Sequence, residues 1–374
     1  MLFEQIVGLD STKNRLLQVL TSGHIAHAQL FFGNEGGASL AIALAYARYL
    51  HCEVPQSLDA CGKCSACRKH NKMIHPDMHF VFPSAITAKV DSKPMSRDFM
   101  VAWRELVLQH PYFDLQTWLK HIGAENKQGN ISVEESREIV KTLSLKPFEA
   151  AHKILMIWLP EIMNIQAANA LLKVLEEPPP QTVFLLVSQD IKRLLVTIIS
   201  RLQVVQVPAF SDTEVGLYLQ KNLKTSPEEA AQIAYLADGN LAQAYHLRRD
   251  GLGEDLHTWL VDWLRSTYKG IWADCLQHTE VFASWNKDQQ KNLLLYTLNI
   301  CRECLLWQGQ SSTLLRITPD KLKFIEGFAK IMPPNKIEVF YKELGNTLYY
   351  IERNASAKMS FFDLTRQVVA LMKG

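Results

Sequence analysis

Through its first 210 residues the chain alternates short apolar runs with helix-patterned stretches, and after Pro208 the apolar runs stop. Strands that lie parallel need a long return connection, usually a helix, so this alternation demands a parallel α/β sheet. The runs are Leu30-Phe31-Phe32, Met78 to Phe82, Lys153 to Trp158, Val183 to Val187 and Val204 to Val207. Lys153 to Trp158 is nearly unbroken, as expected of a strand covered on both faces. The helical stretches include Ala38 to Leu50, Ser132 to about Leu145, and Gln166 to Glu177 with Pro178-Pro179-Pro180 ending it. Ser132-Val133-Glu134-Glu135 predicts a capping box, with the hydroxyl and Glu135 bonding reciprocally to the first-turn backbone. Residues 83–129 mix Lys, Pro, Ser and aromatic residues without a clean period, and predict an insertion with some helix.

Beyond Pro208 only helical signals remain. Ser211-x-x-Glu214 and Ser226-Pro227-x-Glu229 read as capping boxes, the second with Pro at the first helical position. Gly239 reads as a helix stop, so three short helices over about 211–223, 227–238 and 240–249 are expected. Aromatic and leucine stripes then continue from about 251 to the end, through Trp259, Trp263, Leu293, Leu298, Phe340, Leu344 and Leu348. The expected domains are therefore 1–208 (α/β), 209–250 (three helices) and 251–374 (all helical).

The chain has 374 residues, 48% hydrophobic and 21% charged, enough to bury several cores. Forty Lys+Arg against 38 Asp+Glu leave a formal charge of +2, which excludes a uniformly basic nucleic-acid-binding surface. No run of 18 uncharged apolar residues occurs, and the first residues lack a basic-then-apolar leader, so a soluble cytoplasmic protein is expected. Cys52, Cys61, Cys64 and Cys67 cluster, while Cys275, Cys301 and Cys304 lie far away. Four thiolates at this spacing are the donor set of a closed structural zinc site in a reducing compartment. Such a site carries a local −2, which Lys63, Arg68, Lys69 and Lys72 are placed to offset. His70 and His75 read as structural, and Arg68 to Lys72 as a solvated basic face.

A strand, a glycine-rich turn and a helix make a phosphate cradle, because free amides and the positive helix end face the anion. The working form is G-x-x-x-x-G-K-[ST], with Lys on the β/γ-phosphates and the hydroxyl on Mg²⁺. Here the turn runs from Gly33 through Gly36 and Gly37 to Ala38, Ser39 and Leu40. Ser39 stands in the Lys place, Leu40 in the hydroxyl place and Ala38 in that of the last glycine.

Lys153 to Asn164, followed by Gln166 to Pro179, resembles the second nucleotide motif of AAA+ clamp-loader ATPases. In that family the strand ends in Asp-Glu, which seats the metal and polarises water; Trp158 and Leu159 stand there. The family's Gly-Ser-x-Arg-x-Ala phosphate sensor reads Gly239-Asn240-Leu241-Ala242-Gln243-Ala244, with Ala242 at the Arg place. Thr197 to Leu202 resembles the family's Ser-Arg-Cys motif and keeps Ser200 and Arg201, with Leu202 replacing Cys. Phe3-x-x-Ile6-Val7-Gly8, His27-Ala28-x-Leu30-Phe31, the four cysteines and His75-Pro76-Asp77 extend the likeness over most of residues 1–250. Further on, Asn354-Ala355 resembles the start of an Asn-Ala-Asn signature from which Ser356 departs.

The resemblance is to the clamp loader of bacterial DNA polymerase III, and it implies an AAA+ (RecA-like) module, a helical lid and a helical collar. It implies a subunit that hydrolyses no ATP and stands in a five-membered ring with motor (gamma/tau) and delta subunits. That ring opens the sliding clamp and places it on primer-template DNA. Arg201 would complete a motor neighbour's ATP site as a finger in trans, with Ser200 positioning it, a contribution worth ~10³–10⁵ in rate. Two other readings stay open: an active ATPase with degenerate motifs, and a stand-alone zinc-bearing nucleic-acid-binding protein.

Overall fold

The computed structural model describes residues 1–125, 127–250, 256–311, 314–316 and 319–373. The expected boundary at residue 251 lies outside the described residues. The described chain divides into two compact units, Met1–Ala230 with Asp238–Gln243, and Ala231–Ala237 with the chain from Ala244 onward.

The first unit is built on a five-stranded parallel sheet in the order β2-β3-β4-β1-β5. Its strands are β1 (Ala28–Phe32), β2 (Met78–Val81), β3 (Lys153–Trp158), β4 (Thr182–Ser188) and β5 (Gln203–Gln206). β3 and β4 are buried along their whole length, which explains their unbroken apolar sequence. The helices are α1 (Asp10–Ser22), α2 (Ser39–His51), α3 (Ser65–Asn71), α4 (Met100–Gln109), α5 (Leu115–His121), α6 (Val133–Leu143), α7 (Ile165–Glu176), α8 (Val196–Ile199) and α9 (Asp212–Leu223). This is the expected α/β domain built on a parallel sheet. Its loops at the carboxyl ends of β1, β3 and β4 meet where ligands usually bind such sheets.

The insertion is more ordered than its sequence suggested. β2 stops at Val81 because Ser96 takes over the next backbone groups: the Phe82 amide donates to Ser96 Oγ at 3.0 Å, and that hydroxyl donates to the Phe82 carbonyl at 3.1 Å. Phe82 then stacks on Trp103 with centroids 4.3 Å apart, and Trp118 donates its indole N–H to the Pro83 carbonyl at 2.7 Å.

Of the predicted capping boxes, Ser211–Glu214 closes fully, and Glu214 Oε1 also accepts the Leu9 amide at 3.0 Å. The box at Ser132 is half made. Ser132 Oγ accepts the Glu135 amide at 3.2 Å, but the Glu135 carboxylate turns inward to the Ser96 amide at 2.7 Å. A buried amide of the insertion outbids a solvent-accessible one at the helix end.

Asp77 explains part of the His75-Pro76-Asp77 text. Its carboxylate accepts the amides of Phe148, Glu149 (2.9 Å) and Ala150 (2.8 Å), fixing the turn that feeds β3. Burial opposes ionisation there, but these amides hold the acid below its ordinary range.

α10 (Pro227–Ala237) and α11 (Leu241–Asp250) contribute to both units. The second unit is otherwise α12 (Leu256–Lys269), α13 (Trp272–Ser284), α14 (Lys287–Gln308), α15 (Pro319–Ile331), α16 (Pro334–Glu352) and α17 (Ala357–Lys373). Its core joins Trp263, Phe282, Phe340 and Phe361; the Phe282 and Phe361 rings stack at 4.0 Å. No described helix is long and apolar enough to cross a membrane.

Candidate functional site

The glycine turn and the sensor stretch, 200 residues apart in sequence, are brought together. The Leu241 amide donates to the Gly36 carbonyl at 3.0 Å. Gly36 sits at φ +64°, and a Cβ built there would lie 1.8 Å from Asn240 Oδ1 and 2.8 Å from the Ala242 Cβ. Asn240 in turn caps α11 by accepting the Gln243 amide at 3.0 Å. The turn before α11 therefore occupies the space over the loop. Within the loop, Ser39 is buried with its Oγ bonded to nothing, 2.5 Å from where a Gly33 Cβ would fall. A Lys at Ser39 would have supplied a cation to phosphate; a buried hydroxyl does not.

Trp158 is 1% exposed, with ring centroids 5.3 Å from Trp103 and 5.1 Å from Phe113. The insertion thus covers the end of β3 with aromatic surface at the position where the family motif places a carboxylate. Leu159, the second substituted position, is 2% exposed and holds a left-handed backbone (φ 57°, ψ 55°), its amide donating to the Val187 carbonyl at 2.8 Å. Glu161, two residues further on, accepts the Gln189 and Asp190 amides at 2.8 and 3.1 Å through Oε1. Burial raises its pKa, and those amides work in the opposite direction. It is tied to the β4 turn and serves structure.

Arg201 lies just after α8, and its side chain is 31% exposed. Its guanidinium donates to the Thr197 carbonyl at 2.6 Å and to Ser200 Oγ at 3.3 Å, and pairs with the Glu176 carboxylate at the end of α7. Ser200 Oγ itself donates to the Thr197 carbonyl at 3.1 Å. The charge is held at the surface, in a fixed direction, by the last turns of two helices.

The four cysteines converge, their sulfurs within 4.8 Å of one another. Cys52 follows the last turn of α2, Cys64 caps α3 and Cys67 lies inside it. The Cys61, Cys64 and Cys67 amides donate to the sulfurs of Cys52, Cys61 and Cys64 at 3.2, 3.3 and 3.4 Å. Tetrahedral zinc–thiolate bonds near 2.3 Å put sulfurs roughly 3.8 Å apart, so the donor set and spacing fit zinc. Amide donors, led by Lys63, hold the Cys61 thiol down at about 6, whereas burial pushes Cys52 up to about 12.

A buried cation beside this cluster, Arg48, was not singled out from the sequence. Arg48 is 2% exposed, donates to the Met1 and Gly62 carbonyls at 3.4 and 3.3 Å, and opposes the upward push of burial on the Cys67 thiol. Its signal was present: it is the one charged residue in the apolar stretch Ser39 to Leu50.

Fold and site together define a parallel α/β domain whose glycine turn is covered by the turn before α11, and which carries a surface arginine and a cluster of four thiols. The chain belongs to the family described as DNA polymerase III, delta subunit, which it matches over residues 8–211. Among curated relatives, the DNA polymerase III subunit delta' of Pseudomonas aeruginosa is 30% identical over 230 residues, covering 61% of this chain and 58% of that protein. The subunit delta' of Yersinia pestis is 26% identical, covering 88% and 81%. The subunit tau of Escherichia coli is 26% identical, covering 66% of this chain and 32% of its own length. The chain thus spans 58% and 57% of the lengths of two such relatives, the second being the gamma subunit of Buchnera aphidicola. A solved structure, a gamma subunit-related protein of Thermotoga maritima, aligns over 95% of this chain and 98% of its own at 13% identity, with a TM-score of 0.38.

Proposed function

We propose that this chain is the delta-prime, non-hydrolysing subunit of a DNA polymerase III clamp loader, and that it lends Arg201 to the ATP site of a motor neighbour. The observation that carries this reading is the closed phosphate seat. The Leu241 amide is bonded to the Gly36 carbonyl, Ser39 replaces the cation, and Trp158 is packed against Trp103 and Phe113. A domain so arranged has no seat for Mg-ATP and no general base. Arg201 needs neither; a guanidinium offered to a neighbour acts on charge developing elsewhere.

In this reading residues 1–208 form the AAA+ module, 209–250 its lid and 251–374 the collar that joins a five-membered ring. The partners are gamma/tau motor subunits and a delta subunit, and through them the sliding clamp and primer-template DNA. The four cysteines hold a structural zinc ion that fixes α3 to the end of α2. Relatives named gamma and tau share much of the same sequence, so subunit identity is tested by assembly. The chain mixed with separately purified gamma and delta should enter one complex with both, in a single copy. A chain that instead replaces gamma and turns over ATP would overturn the assignment.

A further inference from the structure

Beside the thiol cluster, and sharing no residue with it, three buried histidines meet: His51 at the end of α2, His70 in α3 and His75 just before β2. They are 4%, 6% and 4% exposed, with ring centroids 4.2 Å (His51–His75), 5.0 Å (His51–His70) and 5.0 Å (His70–His75) apart. One ring nitrogen from each lies within 4.8 Å of the others.

The geometry points to a second metal site, a three-imidazole seat for a zinc-class divalent ion, distinct from the four-cysteine site. Three features support it. First, His51 Nε2 lies 2.9 Å from the His152 carbonyl, which only accepts, so that nitrogen carries the proton and Nδ1 presents its lone pair to the cluster. A backbone carbonyl on the outer nitrogen is the usual way a ligating histidine is oriented. Second, His75 Nε2 is buried and makes no well-aligned hydrogen bond, with the Glu149 carboxylate beside it as an ion-pair partner. Third, Glu149 Oε1 stands 3.2 Å from that nitrogen and offers an oxygen for a fourth position.

The required adjustment is small. His51 Nδ1 and His70 Nε2 are 2.9 Å apart, joined by the one proton the two rings share there. Tetrahedral zinc–nitrogen bonds near 2.0–2.1 Å ask for roughly 3.3–3.4 Å between ligands. Binding would open that pair, move the His70 proton to Nδ1, and draw the third nitrogen inward. His75, ligating through Nε2, would likewise carry its proton on Nδ1 and give up the 3.2 Å bond it accepts from the Asp77 amide. Imidazole donors suit zinc, and an ion here would tie the ends of α2 and α3 to the edge strand of the sheet.

The test is metal stoichiometry on the full chain, purified without chelators and dialysed against excess zinc, with X-ray absorption at the zinc edge. Two zinc ions per chain, with a nitrogen/oxygen shell added to the sulfur shell, are expected. His70→Leu should bind one and retain only the sulfur shell. A Cys61→Ser, Cys64→Ser double variant should bind one with the nitrogen shell. One zinc per wild-type chain with sulfur ligands alone would overturn the proposal, whether or not the variants fold. So would a second zinc that His70→Leu, shown by circular dichroism to be folded, still binds.

Discussion

The amide of Leu241 donates to the carbonyl of Gly36, so the turn before α11 is bonded directly to the glycine turn that precedes α2. The same approach leaves no room for a side chain at Gly36, where φ is +64° and Asn240 Oδ1 would sit 1.8 Å from a Cβ. Gly36→Ala should therefore cost about 2–3 kcal/mol in urea unfolding, from backbone strain plus a clash. Gly23 is the control, since it also has positive φ (+73°) but nothing within 4 Å of a Cβ; Gly23→Ala should cost only about 1 kcal/mol. Equal costs would mean that the turn does not press on the loop.

Restoring a motif carboxylate should not restore chemistry. In Trp158→Asp the new acid faces Trp103 and Phe113 in a dry aromatic cluster, with the indole's packing lost. A loss of about 4 kcal/mol or more is expected. ATP turnover by the isolated variant should stay at the wild-type background. Measurable turnover would show that the seat is open after all.

Glu161 gives a pH dependence with a definite sign. Burial raises its folded-state pKa above the unfolded value, although amide donors counter part of the effect. As pH rises through the carboxylate range, the unfolded chain gives up this proton first, so stability falls. Glu161→Gln keeps an acceptor for the Gln189 and Asp190 amides and removes the titration. The variant should gain stability relative to wild type as pH rises from below the carboxylate range to neutrality. A difference that does not vary with pH would contradict this.

Arg48 is placed to balance thiolate charge from inside the fold. Arg48→Met should weaken zinc binding at the four-cysteine site by about 10–100-fold, in the range of other outer-shell partners, when read by competition with a chromophoric chelator. Lys63→Met, at an exposed position, should change it little. The reverse ranking would show that surface charge does the balancing.

How much of this could be read from the chain itself follows from the range of each interaction. Strands β3 and β4 were legible because burial on both faces leaves an unbroken apolar run, and the cysteine cluster because its spacing is local. The lost motif residues at Ser39, Trp158 and Ala242 were visible by comparison with the family pattern. What replaced them was not visible. Trp103 lies on a helix of the insertion, and its place against Trp158 depends on Ser96 ending β2 early. Glu135 fits a capping box by spacing, yet the Ser96 amide claims it. His51 carries no motif, and only the convergence of α2, α3 and β2 makes it a partner of His70 and His75.

The most direct measurement concerns Arg201, held at the surface by Thr197, Ser200 and Glu176. Under the proposed function, a clamp loader is reconstituted from this chain with gamma and delta subunits, and DNA-stimulated ATP turnover and clamp loading are followed with wild type and with Arg201→Ala. The isolated chain should be inactive, and the variant should assemble normally while lowering turnover at the neighbouring motor site by about 10³-fold or more. Wild-type turnover and loading by the variant complex would contradict the account.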